Sequence, residues 1–178
     1  MSIKKPIFKA LFVHIPKCGG SSISKAPWIV LHGSYKVSPR LVKIDSLKTI
    51  FSFTRNPYTR FTSGVFNHGH ADSAESFDKF LDEFEADPDK YTNTKDQVLR
   101  QQAPYLFFDG KLAVNYVGRL ESIEEDWLQL CEIVGEKFEL PHVNKNKYPE
   151  HTKYLTERAK KIVQKVYNDD FELLGYEK

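Results

Sequence analysis

The stretch Phe12-Val-His-Ile-Pro-Lys-Cys-Gly-Gly-Ser-Ser22 limits what this chain can fold into more than any other. An apolar run, Ala10 to Val13 and then Ile15, stops at Pro16-Lys17, two glycines and two hydroxyls. That order reads as a buried strand feeding a tight glycine turn and a helix start. In such a turn successive backbone N–H groups face one concavity, and the helix N-terminus adds partial positive charge. Lys17 and the hydroxyls of Ser21 and Ser22 supply further donors. The segment is therefore a candidate socket for a phosphate-like anion.

Its spelling separates it from the nucleoside-triphosphate P-loop. That loop reads G-x-x-x-x-G-K-[ST], with the lysine after the glycines and a hydroxyl beside it to hold magnesium. Here Lys17 precedes Gly19 and Gly20. The next apolar strand, Thr49-Ile-Phe-Ser-Phe-Thr54, runs into Arg55 rather than a metal-binding aspartate. A cysteine phosphatase needs a cysteine, five residues and then arginine, but six positions after Cys18 stands Ser24. The expected ligand is an anion that arrives without magnesium, and no metal is required.

A second motif, Arg55-Asn-Pro-Tyr-Thr-Arg-Phe-Thr-Ser63, falls at a strand-to-helix junction, with Pro57 suited to the first helical turn. A guanidinium grips a phosphate through paired N–H donors, and a serine hydroxyl adds a contact. Parallel strands bring their C-terminal ends to one edge of a sheet, where ligands of open α/β folds bind. Two anion sites imply a ligand with two separated anionic groups.

The order along the chain is strand (8–14), turn and short helix (18–25), strand (28–32), loop, strand (49–55) and helix (57–68). Phe77, Phe80, Leu81 and Phe84 then repeat with helical period. Residues 94–107 read as helical up to Pro104, with Tyr105-Leu-Phe-Phe108 packing inward. A strand at 114–118 precedes a helix at 122–134. Pro141 to Pro149 is a loop, and a final helix carries Ala159, Ile162, Val163 and Val166 on one side. Alternating strands and helices predict an α/β fold: a P-loop-like three-layer arrangement with a central, mainly parallel sheet flanked by helices.

The 178 residues read as one domain (1–178), with 40% apolar and 13% aromatic content typical of a globular chain. A net charge of +2 without a basic run argues against nucleic acid. Two cysteines give no disulfide framework. The start, Met1-Ser-Ile-Lys-Lys-Pro, lacks the apolar core of a signal peptide, and no stretch is long enough to span a bilayer. A soluble, cytoplasmic protein is expected.

Taken together these segments resemble the sulfotransferases that use 3′-phosphoadenosine 5′-phosphosulfate (PAPS), of the branch that includes many carbohydrate O-sulfotransferases. His14-Ile-Pro-Lys-Cys-Gly-Gly-Ser-Ser-Ile23 resembles the family's 5′-phosphosulfate loop, usually written with threonine at the place of Cys18. Arg55-x-Pro-x-x-Arg-x-x-Ser63 is similar to its 3′-phosphate motif at every fixed position. Tyr116-Val-Gly-Arg-Leu-Glu-Ser-Ile-Glu-Glu-Asp126, Leu140-Pro-His-Val-Asn-Lys145 and Asp170-Phe-Glu-Leu-Leu-Gly-Tyr176 resemble later family segments, in family order.

The resemblance implies transfer of a sulfuryl group to a hydroxyl acceptor, a saccharide by analogy with the branch, leaving 3′-phosphoadenosine 5′-phosphate. It assigns the cofactor to Pro16, Lys17, Cys18, Gly19, Gly20, Ser21, Ser22, Arg55 and Ser63, with Asn144 and Lys145 in a closing loop. Lys17 suits the charge that grows on the bridging oxygen, whereas Ser21 and Ser22 also serve as helix caps. Arg60 is as well explained by a structural ion pair.

A hydroxyl acceptor needs a general base, and histidine suits neutral pH. Of six histidines, His32 follows the strand-like Trp28-Ile-Val-Leu31 and precedes Gly33, which places it at the ligand edge. Relatives use a histidine in this region as base, and a structural histidine is the other reading. Many relatives also carry a His-x-x-Pro-Gln segment before the position of Tyr105. Here Val98-Leu-Arg-Gln-Gln102 has no histidine, and Gln101 and Gln102 are left as candidates for a substrate-side role. That departure keeps open a module that binds the nucleotide without chemistry. A nucleotide kinase is the third reading, favoured only if magnesium is required.

Overall fold

A computed structural model describes residues 9–33, 49–95, 97–141 and 151–178. In chain order the elements are β1 (Ala10–Val13), α1 (Gly20–Ile23), β2 (Ile29–Gly33), β3 (Thr49–Thr54), α2 (Pro57–Asn67), α3 (Ala74–Ala86), α4 (Asp89–Thr92), α5 (Ala103–Leu106), β4 (Phe107–Phe108), β5 (Lys111–Leu112), β6 (Tyr116–Arg119), α6 (Ile123–Val134), α7 (Glu157–Val166) and α8 (Asn168–Leu174). Single 3-10 turns cover Leu120–Ser122 and His151–Tyr154. Two compact units divide the chain: Met1–Thr54 with Pro104–Asn144, and Arg55–Ala103 with Lys145–Lys178.

The first unit is built on a four-stranded sheet of order β2-β1-β3-β6, parallel throughout. Strands β1 and β3 are buried along their whole length, which explains their unbroken apolar spelling. Phe12, Phe51 and Phe53 pack against Ile23 of α1, Trp28, and Trp127 and Leu130 of α6. The Phe12 and Phe51 rings stack at 5.1 Å, and Trp28 and Trp127 at 5.4 Å. Asn115 fixes the start of β6 beside β3: its Oδ1 accepts the Ile50 N–H at 2.7 Å, and its own N–H donates to the Ile50 carbonyl at 2.7 Å. The expected α/β class with a central parallel sheet and helices packed on it is thus present.

The second unit gathers α2, α3, α7 and α8 around Phe61, Phe77, Phe80, Leu81, Phe84, Ile162, Val163 and Tyr167. Asn56 caps α2 by accepting the Tyr58 N–H at 3.0 Å, with Pro57 in the first turn. A reciprocal Ser73–Ser76 capping box starts α3.

Three expectations are corrected. Of the described residues from 94 to 102 none is helical, and a helix begins only at Ala103: Gln97 takes a left-handed φ of 57°, and the N–H groups of Gln102 and Ala103 go to the Asp170 carboxylate. Tyr105 and Leu106 pack inward, but Phe108 is 41% exposed. The hairpin β4–β5 explains this, because Asp109 and Gly110 both adopt positive φ and turn the chain back. The helix of Ala159, Ile162, Val163 and Val166 is present as α7 but is not the last: after the buried Tyr167, whose hydroxyl donates to the Leu99 carbonyl at 2.7 Å, α8 follows. His142, Asn144 and Lys145 lie outside the described residues.

Candidate functional site

In the first unit the chain leaves β1 through buried Ile15 and Pro16 and turns at Lys17, whose φ is 69°. A side chain in the left-handed region costs about 1–2 kcal/mol, so the surrounding loop holds Lys17 there. Gly19 is also left-handed, at φ 81°, and Gly20 begins the right-handed α1. A left-handed residue followed by a right-handed one turns successive N–H groups toward one concavity. The N–H groups of Ser22 and Ile23 donate to the Gly19 carbonyl at 3.0 and 3.2 Å. Those of Gly20 and Ser21 belong to the first turn and have no acceptor within the helix. Because α1 has only four residues, the loop's own N–H groups supply the positive field, and the helix dipole adds little.

A side chain at either glycine would crowd its neighbours. A Cβ on Gly20 would clash with the His14 imidazole, at Nε2 and Cδ2. A Cβ on Gly19 would lie 3.0 Å from Leu120 Cδ1 and 3.2 Å from Ile123 Cδ1. Leu120 and Ile123 belong to the segment after β6, so that late motif seats the loop. Asp126 orders it in turn, its carboxylate accepting the Arg119 N–H at 2.7 Å and the Ser122 hydroxyl at 2.8 Å. Burial holds the His14 pKa below its usual value, so the ring against Gly20 is kept neutral. Cys18 is buried, and its thiol donates to the Pro16 carbonyl at 3.7 Å. It turns its side chain away from solvent and offers the loop backbone only. Ser21 is exposed and Ser22 half-buried.

His32 lies in β2, the edge strand beside β1. The pairing runs Phe12 with Leu31 and then Val13 with Gly33, so the register slips and His32 is the residue passed over. Since β1 and β2 are parallel, His32 lies at the same carboxyl edge from which the Lys17 loop departs.

In the second unit Arg55 is held by its backbone. Its N–H donates to Gln102 Oε1 at 2.9 Å, and its carbonyl accepts from Gln102 Nε2 at 2.7 Å. Its side chain turns along α2, Nε donating to Thr59 Oγ1 at 3.0 Å. Thr59 and Ser63 are one turn apart on the same helix face. Ser63 Oγ accepts from Asn67 Nδ2 at 3.0 Å, which leaves the serine proton to be donated elsewhere. Arg60 is buried, with Nη2 donating to the Val98 carbonyl at 3.1 Å, which settles its role as structural. Asp170 is buried near it and accepts the N–H groups of Gln102 and Ala103 at 2.7 Å each. Burial pushes the Asp170 carboxyl up, while the Arg60 charge and these donors pull it back.

Gln102, a candidate for a substrate-side role by sequence, is fully buried and serves the Arg55 backbone. His70 stacks on Phe80 at 5.3 Å and meets Tyr91 edge-on at 5.7 Å, a packing role, and His68 is exposed.

The first unit thus offers a parallel sheet whose interior strand β1 runs into a left-handed glycine turn, and the second an arginine–serine motif at the start of a capped helix. The chain belongs to the sulfotransferase family, whose family model, described as Sulfotransferase family, matches residues 3–177. It is accordingly an enzyme of sulfuryl transfer. No curated protein and no solved structure matches the chain. Among the described residues no helix is long and apolar enough to cross a membrane.

Proposed function

We propose that the protein transfers a sulfuryl group from PAPS to a hydroxyl acceptor, a saccharide in our reading, in the cytoplasm and as a single domain. The observation that carries this reading is the Lys17–Gly20 turn, with two left-handed residues, glycines packed too tightly for a side chain, and first-turn N–H groups that need an acceptor. The donor set fits a phosphosulfate: Pro16 through Ser22 supply N–H groups, hydroxyls and one ammonium. Arg55 and Ser63 fit a 3′-phosphate, with a guanidinium and a hydroxyl proton on one stripe of α2. Asn144 and Lys145 are proposed as further cofactor contacts.

The cofactor supplies an activated sulfuryl group, so positioning and charge stabilisation fall to the protein. Lys17 stabilises negative charge on the bridging oxygen, and the loop N–H groups hold the 5′ end. Arg55 and Ser63 hold the nucleotide in place. His32 accepts the acceptor's proton, a role its neutral form allows. No role in this scheme asks for a metal. The test is transfer of labelled sulfate from PAPS to a panel of saccharide, phenol and alcohol acceptors, with and without a chelator. Labelled product on a saccharide supports the reading in full, and nucleotide binding without any product would instead support a binding module.

A further inference from the structure

The face of α2 that carries Thr59 and Ser63 continues to Phe66 and Asn67, by the three- and four-residue spacing of a helix. On Phe66 lies His151, its ring nearly parallel at 9° and 4.3 Å from centroid to centroid. Tyr154 closes the stack, 4.6 Å from Phe66 and 6.3 Å from His151. Within this stack the His151 Nδ1 is buried and has no hydrogen-bond partner among the described residues. An imidazole used only for packing seldom leaves a buried nitrogen unmatched, because that forfeits a hydrogen bond. Its charged surroundings are one-sided. Arg55 acts on it from the junction before α2, Lys153 acts on it from its own turn, α2 presents the Phe66 ring, and among the described residues no carboxylate acts on it. Lys153 itself lies over the Tyr154 ring at 4.9 Å.

We propose that His151 is a third member of the 3′-phosphate site of Arg55 and Ser63, an imidazole that becomes cationic and pairs with the phosphate when the nucleotide binds. This rests on the reading of Arg55 and Ser63 given above. Without ligand, burial and the two cations keep the ring neutral. A phosphate dianion between these groups reverses the local field, and the ring takes one proton from solvent. Binding of a 3′-phosphorylated nucleotide is thereby proton-linked, and nucleotides without that phosphate lose both the pairing and the proton.

The experiment is calorimetric titration of the full chain with 3′-phosphoadenosine 5′-phosphate at pH 7.5, in buffers of different ionisation enthalpy. Adenosine 5′-phosphosulfate, which lacks the 3′-phosphate, is run alongside. The expected result for the natural chain is net proton uptake with the first nucleotide and none with the second. His151→Phe keeps the ring stack on Phe66, so it should retain the melting temperature while the uptake disappears and affinity falls about tenfold. His151→Gln should abolish the uptake in the same way. Tight binding with uptake unchanged in His151→Phe, or with no uptake in the natural chain, overturns this inference and leaves the Arg55–Ser63 site standing. Failure of 3′-phosphoadenosine 5′-phosphate to bind at all overturns both.

Discussion

Gln102 occupies both backbone hydrogen-bonding groups of Arg55, accepting its N–H at 2.9 Å and donating to its carbonyl at 2.7 Å. Gln102 is itself fixed, because its own N–H donates to the Asp170 carboxylate at 2.7 and 2.8 Å. The arginine is therefore presented on a backbone that cannot drift, with its guanidinium turned along α2.

Gln102→Leu keeps the approximate volume but removes the Gln102 partner of both the Arg55 N–H and its carbonyl in a half-buried place. Each orphaned group costs about 1–3 kcal/mol, and each kcal/mol lowers the melting temperature by about 2–4 °C for a chain of this size. Affinity for 3′-phosphoadenosine 5′-phosphate should fall, whereas that for adenosine 5′-phosphosulfate changes less. Thermal melts and paired titrations check both. An unchanged melt would remove the clamp from the account.

Gly20→Ala drives a methyl group into the His14 ring, so either the ring or the loop must shift. Nucleotide binding and turnover should both drop sharply. Replacing the obstructing ring as well, in a His14→Ala/Gly20→Ala double variant, should recover part of the binding. The interaction energy of such a contacting pair is about 0.5–3 kcal/mol. Strict additivity of the two changes would show that His14 does not set the glycine requirement.

The same ring makes the loop sensitive to acid. Burial lowers the folded-state pKa of His14 below 6.5, so its stabilising effect is present above the unfolded pKa and lost as pH falls through the folded one. The ligand-free protein should melt at a lower temperature as pH drops below about 6.5. His151 shifts in the same direction and adds to the slope. In His14→Gln the pH dependence of the melt should flatten in part. A melt that is stronger at acid pH would contradict the burial of both rings.

Much of this was legible in the residues, because a strand–turn–helix has few spellings. The apolar runs at Ala10–Val13 and Thr49–Thr54, the glycine pair and the Asn56-Pro57 helix start all declare themselves locally. What escaped depends on partners far away in sequence. Val98–Gln102 looks helical until Asp170, 68 residues on, takes the N–H of Gln102. The hairpin after Leu106 hides behind two apolar phenylalanines, although Asp109-Gly110 is a turn signal. Nor does spelling reveal that Cys18 faces inward, since Cys and the family's usual threonine both fit a position that contributes its backbone.

Lys17 and Arg55 should separate chemistry from binding. Arg55→Ala removes a charge-assisted contact made in ground and transition states alike, so affinity for PAPS should weaken about 10- to 100-fold. Lys17→Gly relieves the left-handed backbone while deleting the ammonium. Its fold should be intact, its nucleotide affinity only modestly reduced, and its kcat about 10²- to 10³-fold lower. Single-turnover rates and equilibrium titrations distinguish the two patterns. Equal loss of affinity in both variants, with turnover of bound substrate unchanged for Lys17→Gly, would strip Lys17 of its catalytic role.

The base role proposed for His32 is the most exacting to test. The register slip of β2 passes over this residue at the carboxyl edge of the sheet, beside the strand that leads to Lys17. A base must be neutral to accept the acceptor's proton, so turnover should rise with pH through the imidazole titration. That titration lies near pH 6.5 in the open, and a neighbouring polyanion pushes it upward by favouring the charged ring. His32→Ala should leave 3′-phosphoadenosine 5′-phosphate binding nearly intact while turnover falls about 10²- to 10⁴-fold, and the rising limb of the pH profile should vanish with it. Near-normal turnover of His32→Ala on a verified acceptor, with the rising limb preserved, would move the base to another residue.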